Sequence, residues 1–278
     1  MRFDVAENPP ETLFLATIPG ATPSTWVGRF SSRERVVKLV NHDESAQFAH
    51  LAHDAYGLPL HPLPQLGYVR WRRDRTLDEV LTAAGVDLRH VHTVTSYSEL
   101  PVVCVGKDHL LSAWDVDADG PVPMAELDPE EELEPARFAP APSEDPLDPA
   151  EVPGAGERMA IEIAASGTGH VVLPMSVARM FGRKDVVVLP VASALDDVVG
   201  KSRADREAEA MLQELEGEAA VEDTGVEGEV SAEGAAYEAG DPRHPGWDVG
   251  LAWLKEADTP LVQMFVGVSR GRRPGSSR

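Results

Sequence analysis

Apolar runs suited to β-strands recur along the chain and are rich in Val and Leu. They lie at 13–19, 36–40, 66–71, 89–96, 167–174, 185–192 and 247–254. Each has the length of a strand, and several carry the β-branched residues that strands favour. The run LPVVCVG at 100–106 is apolar throughout, which predicts a strand covered on both faces.

Segments with helical signals separate these runs. Thr22 before Pro23 offers a hydroxyl N-cap followed by proline at the first helical position. The segment 44–57 repeats apolar residues at helical spacing and ends at a glycine, while Thr76 and Glu79 form the pattern of a capping box. Helices are predicted over 44–57, 76–85, 157–166, 175–182 and 259–271. The alternation of strands and helices predicts an α/β protein with largely parallel sheets.

Most of the negative charge is confined to two segments. The 278-residue chain has a net charge of −22. Residues 126–157 hold 11 acidic and 1 basic residue, and residues 203–241 hold 13 and 2, so the remainder is nearly neutral. We expect an exposed, mobile Pro-rich loop at 126–157 and a disordered acidic insertion at 193–246. A nearly neutral body with acidic insertions is a poor partner for nucleic-acid phosphates, which require clustered Lys and Arg.

The compartment follows from the cysteine count and the distribution of apolar residues. Cys104 is the single cysteine, as is common in a reducing cytoplasm. The N-terminal segment lacks the apolar core of a signal peptide. No stretch approaches the roughly 18 apolar residues of a membrane span. We therefore predict a cytoplasmic protein without a membrane segment.

Five longer segments, taken in order, carry a family resemblance. They read LFLATIPGATPSTWVGRF at 13–30, LGYVRW at 66–71, YSELPVVCVGKDHLLSA at 97–113, EIAASGTGHVVLPMSVARMFGRKDVVVLPV at 162–191 and LAWLKEADTPLVQMFVGVSRGRRPGSSR at 251–278. Together they resemble the substrate-binding, or effector-binding, domain of LysR-type transcriptional regulators. The match is to the stand-alone actinobacterial form, which lacks the winged helix-turn-helix.

The resemblance implies a fold and its division along the chain. The fold would be α/β and periplasmic-binding-protein type II-like, with two lobes that each contain a mixed, mostly parallel sheet and flanking helices. Lobe I would comprise 13–100 and the returning segment 247–270. Lobe II would comprise 101–192. The tails would lie at 1–12 and 271–278.

The resemblance also implies a function. A small, anionic organic effector would bind in the cleft between the lobes, held by helix N-termini and loop hydroxyls. A transcription-regulatory role would then act through a partner, either in a homodimer or in a heteromer with a full-length regulator. Only 12 residues precede Leu13, too few for a DNA-reading helix pair, so we expect no direct DNA binding.

The candidate ligand-binding residues are hydroxyls and one arginine. Arg70 follows the strand after which the family often places a residue that grips a carboxylate. Three hydroxyls cluster at the predicted start of the first helix, where capping alone explains one of them. The alternative explanations are ordinary capping for the hydroxyls of the first helix, a solvated loop end for Arg70, loop polarity for Ser96 and Ser98, and a tight turn at Thr168. The predicted set is Thr22, Ser24, Thr25, Arg70, Ser96, Ser98 and Thr168.

Other chemistry-bearing residues do not form a catalytic or metal site. Ser269 matches the nucleophile-elbow pattern, but a predicted helix precedes it and no histidine follows. Cys104 lies inside a strand and would be an inert thiol. His50 and His53 share a predicted helical face, yet a zinc site needs three or four ligands. We therefore predict a binding protein and not an enzyme, with no metal and no cofactor.

An alternative function belongs to a different class. The chain could be a protein-interaction module with a vestigial cleft, acting through its acidic insertions on a basic partner. A hollow cleft onto which Arg70 and the hydroxyls of Thr22–Thr25 converge would favour effector binding. Side chains that fill the gap would favour the interaction module.

Overall fold

The computed structural model describes residues 11–21, 23–32, 34–51, 64–141, 152–192 and 245–271. The strands are β1 Glu11–Thr17, β2 Arg35–Asn41, β3 Leu66–Arg72, β4 Val91–Glu99, β5 Pro101–Gly106, β6 His170–Pro174, β7 Val186–Pro190 and β8 Trp247–Leu254. The helices are α1 Ser24–Phe30, α2 Leu77–Ala83, α3 Val116–Asp119, α4 Ala155–Ala165, α5 Met175–Met180 and α6 Pro260–Ser269. The strands form two separate sheets, which confirms the predicted two-part α/β fold.

Lobe I is the five-stranded sheet, in the order β2-β1-β3-β8-β4, with α1, α2 and α6. Helices α1 and α6 pack on one face, where Phe30 meets Phe265 edge to face at 5.3 Å between ring centroids. The capping box predicted for α2 is confirmed, and α6 also has a side-chain cap. Thr76 and Glu79 form a complete capping box on α2, and Thr259 caps α6 with proline at the first position.

Lobe II is the three-stranded sheet, in the order β6-β5-β7. Every residue of the central strand β5 is buried, as its uninterrupted apolar sequence predicts. On one face Val102 and Cys104 pack against α4, and on the other Val103 and Val105 pack against residues of the 111–127 segment. The sheet is therefore covered on both sides.

The two lobes have separate hydrophobic cores. Only Leu100 lies between β4 of lobe I and β5 of lobe II. The buried apolar residues fall into four clusters, two in each lobe. Trp247, at the start of β8, is the exception among the described residues, since it packs against a lobe II cluster. Apolar burial therefore stabilises each lobe by itself and contributes little between them.

Strand direction differs from the sequence expectation. Strand β1 pairs in parallel with β2 and β3, but the other four strand pairs are antiparallel. The reason is the path of the chain: β8 returns into the middle of lobe I, and β5 enters lobe II in the opposite direction to both of its neighbours. The lobe I sheet is mixed, as predicted, whereas the strands of lobe II pair only in antiparallel, so neither sheet is mostly parallel.

Two segments depart from the predicted secondary structure. The helix predicted over 44–57 is replaced by the 3₁₀ turns Glu44–Ala46 and Ala49–Leu51 in its described part, because the His50 ring hydrogen-bonds Ala252 O, 3.1 Å away. The loop predicted at 126–157 is largely exposed over its described residues 126–141, as expected, but Leu127 is buried and Phe138 packs against the lobe II core. Its last described part is helical, because α4 begins at Ala155. The insertion predicted at 193–246 lies outside the described residues up to 244. Within the described ranges, no helix is both long and apolar enough to cross a membrane.

Burial of His50 predicts a loss of stability in acid. Burial lowers the pKa of His50 from 6.5 to about 4. Between these two pH values His50 is protonated in the unfolded chain but neutral in the folded chain. The free energy of unfolding should be unaffected above about pH 6.5 and fall as the pH drops towards about 4. Urea unfolding across this range measures the effect. His50→Gln should flatten the slope, and an unchanged slope in that variant would assign it to other groups.

Candidate ligand-binding site between the lobes

A single arginine lies at the point where the lobes meet. Arg70 is on β3, beside Val249 of β8 in the sheet register, and its backbone N–H donates to Gln47 Oε1 at 2.6 Å. Its side chain is 0% exposed. A buried guanidinium requires counter-charge and hydrogen-bond acceptors, and these come from both lobes.

The guanidinium binds two carboxylates, a carbonyl and a hydroxyl. Its Nη1 donates to Glu44 Oε2 at 2.7 Å. Its Nη2 donates to Pro19 O and Ser176 Oγ, both at 3.1 Å, and lies 3.4 Å from Glu99 Oε2. Ser176 Oγ in turn donates to Glu99 Oε2 at 2.9 Å. Because Ser176 is on α5 of lobe II, this ring of contacts joins the two lobes.

Electrostatics keeps the guanidinium charged. Burial alone would lower the pKa of Arg70, but the carboxylates of Glu44 and Glu99 outweigh it and raise the pKa. Burial, and then the Glu99 charge, raise the pKa of Tyr97 to about 12. Burial also raises the pKa of Glu157, on α4 of lobe II, with Glu44 and Asp43 adding repulsion. The lobe junction thus gathers several carboxyl groups around one cation.

Further contacts between the lobes are also polar or closely fitted. The backbone N–H of Gly154, before α4, donates to Asp43 Oδ1 at 2.8 Å. The backbone N–H of Gly20 lies 3.1 Å from Met180 Sδ on α5. Gly20 has a φ of +79°, and a Cβ there would lie 2.4 Å from Ser176 Oγ. The loop after β1 therefore fits against α5 only because residue 20 is glycine.

The predicted hydroxyls of the first helix are only partly described. Thr22 lies outside the described residues. Ser24 and Thr25 begin α1 and are both exposed. Pro23 occupies the cap position and no side chain caps the helix. These two hydroxyls follow the Gly20 loop along the chain but do not join the Arg70 contacts.

The two predicted hydroxyls of β4, those of Ser96 and Ser98, lie in different surroundings. Ser96 is the extra residue of a β-bulge, where the register against β8 shifts between Thr95 and Tyr97, and it is exposed. Ser98 Oγ donates to Asp248 Oδ1 at 2.6 Å. Neither serine contacts Arg70. The bulge does, however, determine which residues at the end of β4 lie on the same face of the sheet as Arg70.

Thr168 lies away from the lobe junction. It is exposed in the turn between α4 and β6, next to His170. His170 pairs with Val105 of β5, whereas Pro174 at the other end of β6 pairs with Pro101 beside the crossover. The length of β6 thus separates Thr168 from Ser176, and the structure does not bring Thr168 together with Arg70.

The three side chains that contact the Arg70 guanidinium were not among the predicted site residues. Glu44 follows β2, Glu99 ends β4, and Ser176 is in the first turn of α5. Each signal was present in the sequence: Glu99 is the one acid in SYSELPVV, and Ser176 follows the buried run HVVLP. The sequence alone does not show that these residues lie beside Arg70, because they are 26, 29 and 106 positions away from it along the chain.

A second titratable cluster lies at the far end of lobe II. His109, Glu131 and His170 offer ligand atoms within 4.8 Å of one another. However, His109 Nδ1 accepts a hydrogen bond from the Leu111 N–H at 3.1 Å, so the proton of the neutral ring is on Nε2, 3.6 Å from Glu131 Oε2. To bind a metal through Nε2, His109 would have to move this proton to Nδ1 and give up the hydrogen bond from Leu111. The arrangement fits a turn cap, with the Nε2–H of the ring facing a carboxylate, better than a metal centre.

Comparison with known proteins identifies the fold but no sequence relative. No protein-family model matches the chain. No curated protein matches it either. The similarity to known proteins is therefore structural.

Solved structures of regulator domains match almost the whole chain. The BenM effector binding domain with its effector benzoate is 12% identical, with a TM-score of 0.53 over 95% of this chain and 92% of that chain. The regulatory domain of an OxyR mutant from Pseudomonas aeruginosa is 12% identical, with a TM-score of 0.51 over 96% and 100%. The chain thus has the periplasmic-binding-protein type II-like fold of LysR-type effector-binding domains, as the sequence resemblance implied.

Proposed function

We propose that this chain is a ligand-sensing domain that binds a small, anionic organic effector between its lobes. The observation that carries the proposal is the contrast between the lobe cores and the lobe junction. Each core is apolar and self-contained, while the junction consists of polar contacts around Arg70. A ligand can therefore replace some of the polar contacts between the lobes without disrupting the apolar core of either lobe.

The mechanism is a shift between lobe arrangements. Contacts such as Arg70 to Ser176 and Gly154 to Asp43 form only when the lobes are close. A ligand that binds both lobes stabilises that arrangement by its difference in affinity for the closed and open forms. The single-residue crossover at Leu100 provides a short hinge. The output is therefore a change in lobe geometry and not a chemical reaction.

The effector class follows from the cation at the junction. Arg70 is the buried cation that faces both lobes, and a guanidinium binds carboxylates through paired, charge-assisted hydrogen bonds. The fold relative BenM has benzoate, a carboxylate, as its effector. We therefore propose an organic acid, with Arg70 and Ser176 as its principal contacts.

The residues with catalytic potential support a binding role. Burial raises the pKa of Cys104 to about 12, so its reactive thiolate is suppressed. Ser269 is in the last turn of α6, where its Oγ donates to Val266 O at 2.8 Å. We propose a cytoplasmic regulator domain that acts through a partner, as a homodimer or with a full-length regulator.

A screen of metabolite carboxylates by thermal unfolding tests the proposal. An effector at about 100 times its Kd should stabilise the folded chain by about 2.7 kcal/mol, and small-angle scattering should show a change in radius of gyration on binding. The matched control is Glu162→Ala, which removes a half-exposed carboxylate on α4 and should respond like the wild type. A broad panel without a single shift would contradict effector binding.

A specific observation also supports the protein-interaction alternative. The Arg70 guanidinium is already surrounded by groups of the chain itself, and Gly20 touches Ser176, so side chains fill the gap at this point. The acidic insertion would then be the working surface. Binding of a basic polypeptide such as polylysine that is lost on deletion of 203–241, together with an empty carboxylate screen, would favour this function.

A further inference from the structure

The two carboxylates on Arg70 differ in how readily they can leave. Glu99 is 5% exposed and belongs to β4. Glu44 is 31% exposed and belongs to a three-residue 3₁₀ turn. A side chain on a short turn at the surface can rotate into water, whereas one inside a sheet cannot move without opening the sheet. Glu44 is the displaceable anion.

Glu44 also makes the shortest contact with the guanidinium. Its Oε2 is 2.7 Å from Nη1, against 3.4 Å between Glu99 Oε2 and Nη2. It uses one donor only, and the buried Nε of Arg70 has no hydrogen-bond acceptor among the described residues. An incoming carboxylate would therefore bind the Nη1 donor that Glu44 vacates, while Nε lies on the other edge of the guanidinium, beside Nη2.

The surroundings of Glu44 favour its release. Glu157 of lobe II and Asp43 lie near it, and Glu44 and Asp43 both act electrostatically on Glu157. Moving the Glu44 carboxylate into water relieves this repulsion, and so offsets part of the cost of leaving Arg70, until a guest carboxylate takes its place. When a guest carboxylate replaces it, Arg70 keeps two anionic partners, so the charge immediately around the guanidinium is unchanged.

We propose that Glu44 occupies the carboxylate subsite of the cleft in the ligand-free protein, and that an acidic effector binds Arg70 by displacing it. This inference rests on the proposed function. Glu44 is then a resident competitor that weakens the binding of every acid by the same factor. Acids whose remaining groups bind the lobes best are the ones that overcome it.

Chemical rescue tests this subsite without knowledge of the natural effector. Glu44→Ala removes the carboxylate and leaves space for a two-carbon acid. Acetate, at constant ionic strength, should raise the Tm of this variant by about 2–5 °C with saturation, and should leave the wild type almost unchanged. Acetamide, a neutral molecule of the same shape, should have no effect on either protein.

Glu162→Ala is the matched control, since Glu162 is a glutamate of similar exposure, 39%, that faces Arg183 on the surface. Its Tm should not respond to acetate. If Glu44→Ala folds only in the presence of acetate, the subsite is supported equally. A folded variant without rescue, or a variant that acetate cannot help to fold, would overturn the proposal. Rescue together with an empty metabolite screen would retain the subsite and reject effector sensing.

Discussion

Replacing Arg70 with methionine is expected to destabilise the chain by about 3–5 kcal/mol, as found when one partner of a buried ion pair is removed. Methionine preserves much of the apolar stem but no charge. Glu44 can then turn towards water, but Glu99, only 5% exposed, is left as a buried carboxylate with neutral donors such as Ser176 Oγ in place of its cation. Urea unfolding at neutral pH measures the loss.

Two further variants separate charge from packing in this result. Arg70→Met combined with Glu99→Gln should recover a large part of the stability, because a neutral amide replaces the stranded charge. Arg183→Met removes a 40% exposed guanidinium from its partner Asp185 and should cost less than about 1 kcal/mol. If the Arg70 variant is as mild as the Arg183 variant, the lobe junction does not depend on a buried charge.

Much of the fold could be predicted because its signals are local. The caps at Thr76 and Thr259 need only residues within one helical turn, and the burial of β5 follows from its own composition. Strand direction is not a local property, since an apolar run has the same pattern in a parallel and an antiparallel pair. The segment at 44–57 has helical periodicity, but the bond from His50 to Ala252 overrides it.

The candidate site was predictable in kind but not in composition. Arg70 could be singled out from the family resemblance, because the family often places a residue that grips a carboxylate after this strand. The exposed hydroxyls of Ser96 and Thr168 give no comparable signal, since serines and threonines are common in loops whether or not they bind a ligand. The partners Glu44 and Ser176 become visible only when the sheet order is known, because the fold brings residues from four segments to one guanidinium.

Gly20→Ala should destabilise the closed arrangement of the lobes by about 2–4 kcal/mol, the sum of backbone strain and overpacking. A Cβ at this φ of +79° would lie 2.4 Å from Ser176 Oγ and 2.8 Å from the Val177 backbone nitrogen. Rotation of the serine relieves the first contact, but the second is with backbone. Separation of the lobes relieves both, so the variant should show a larger radius of gyration in solution and weaker effector binding.

Gly85→Ala provides the control that isolates the contact between lobes. Gly85 has a φ of +75°, almost that of Gly20, but no atom lies within 4 Å of its Cβ position. Both variants carry the same backbone strain, of about 1 kcal/mol. The difference between their free energies of unfolding therefore measures the steric cost of the new methyl group at Gly20 against α5. Equal stability and identical scattering profiles would mean that the loop after β1 yields, and that Gly20 does not couple the lobes. A larger effect at Gly20 that is confined to lobe separation would show that the junction opens while each apolar core stays intact, which is the property that ligand sensing requires.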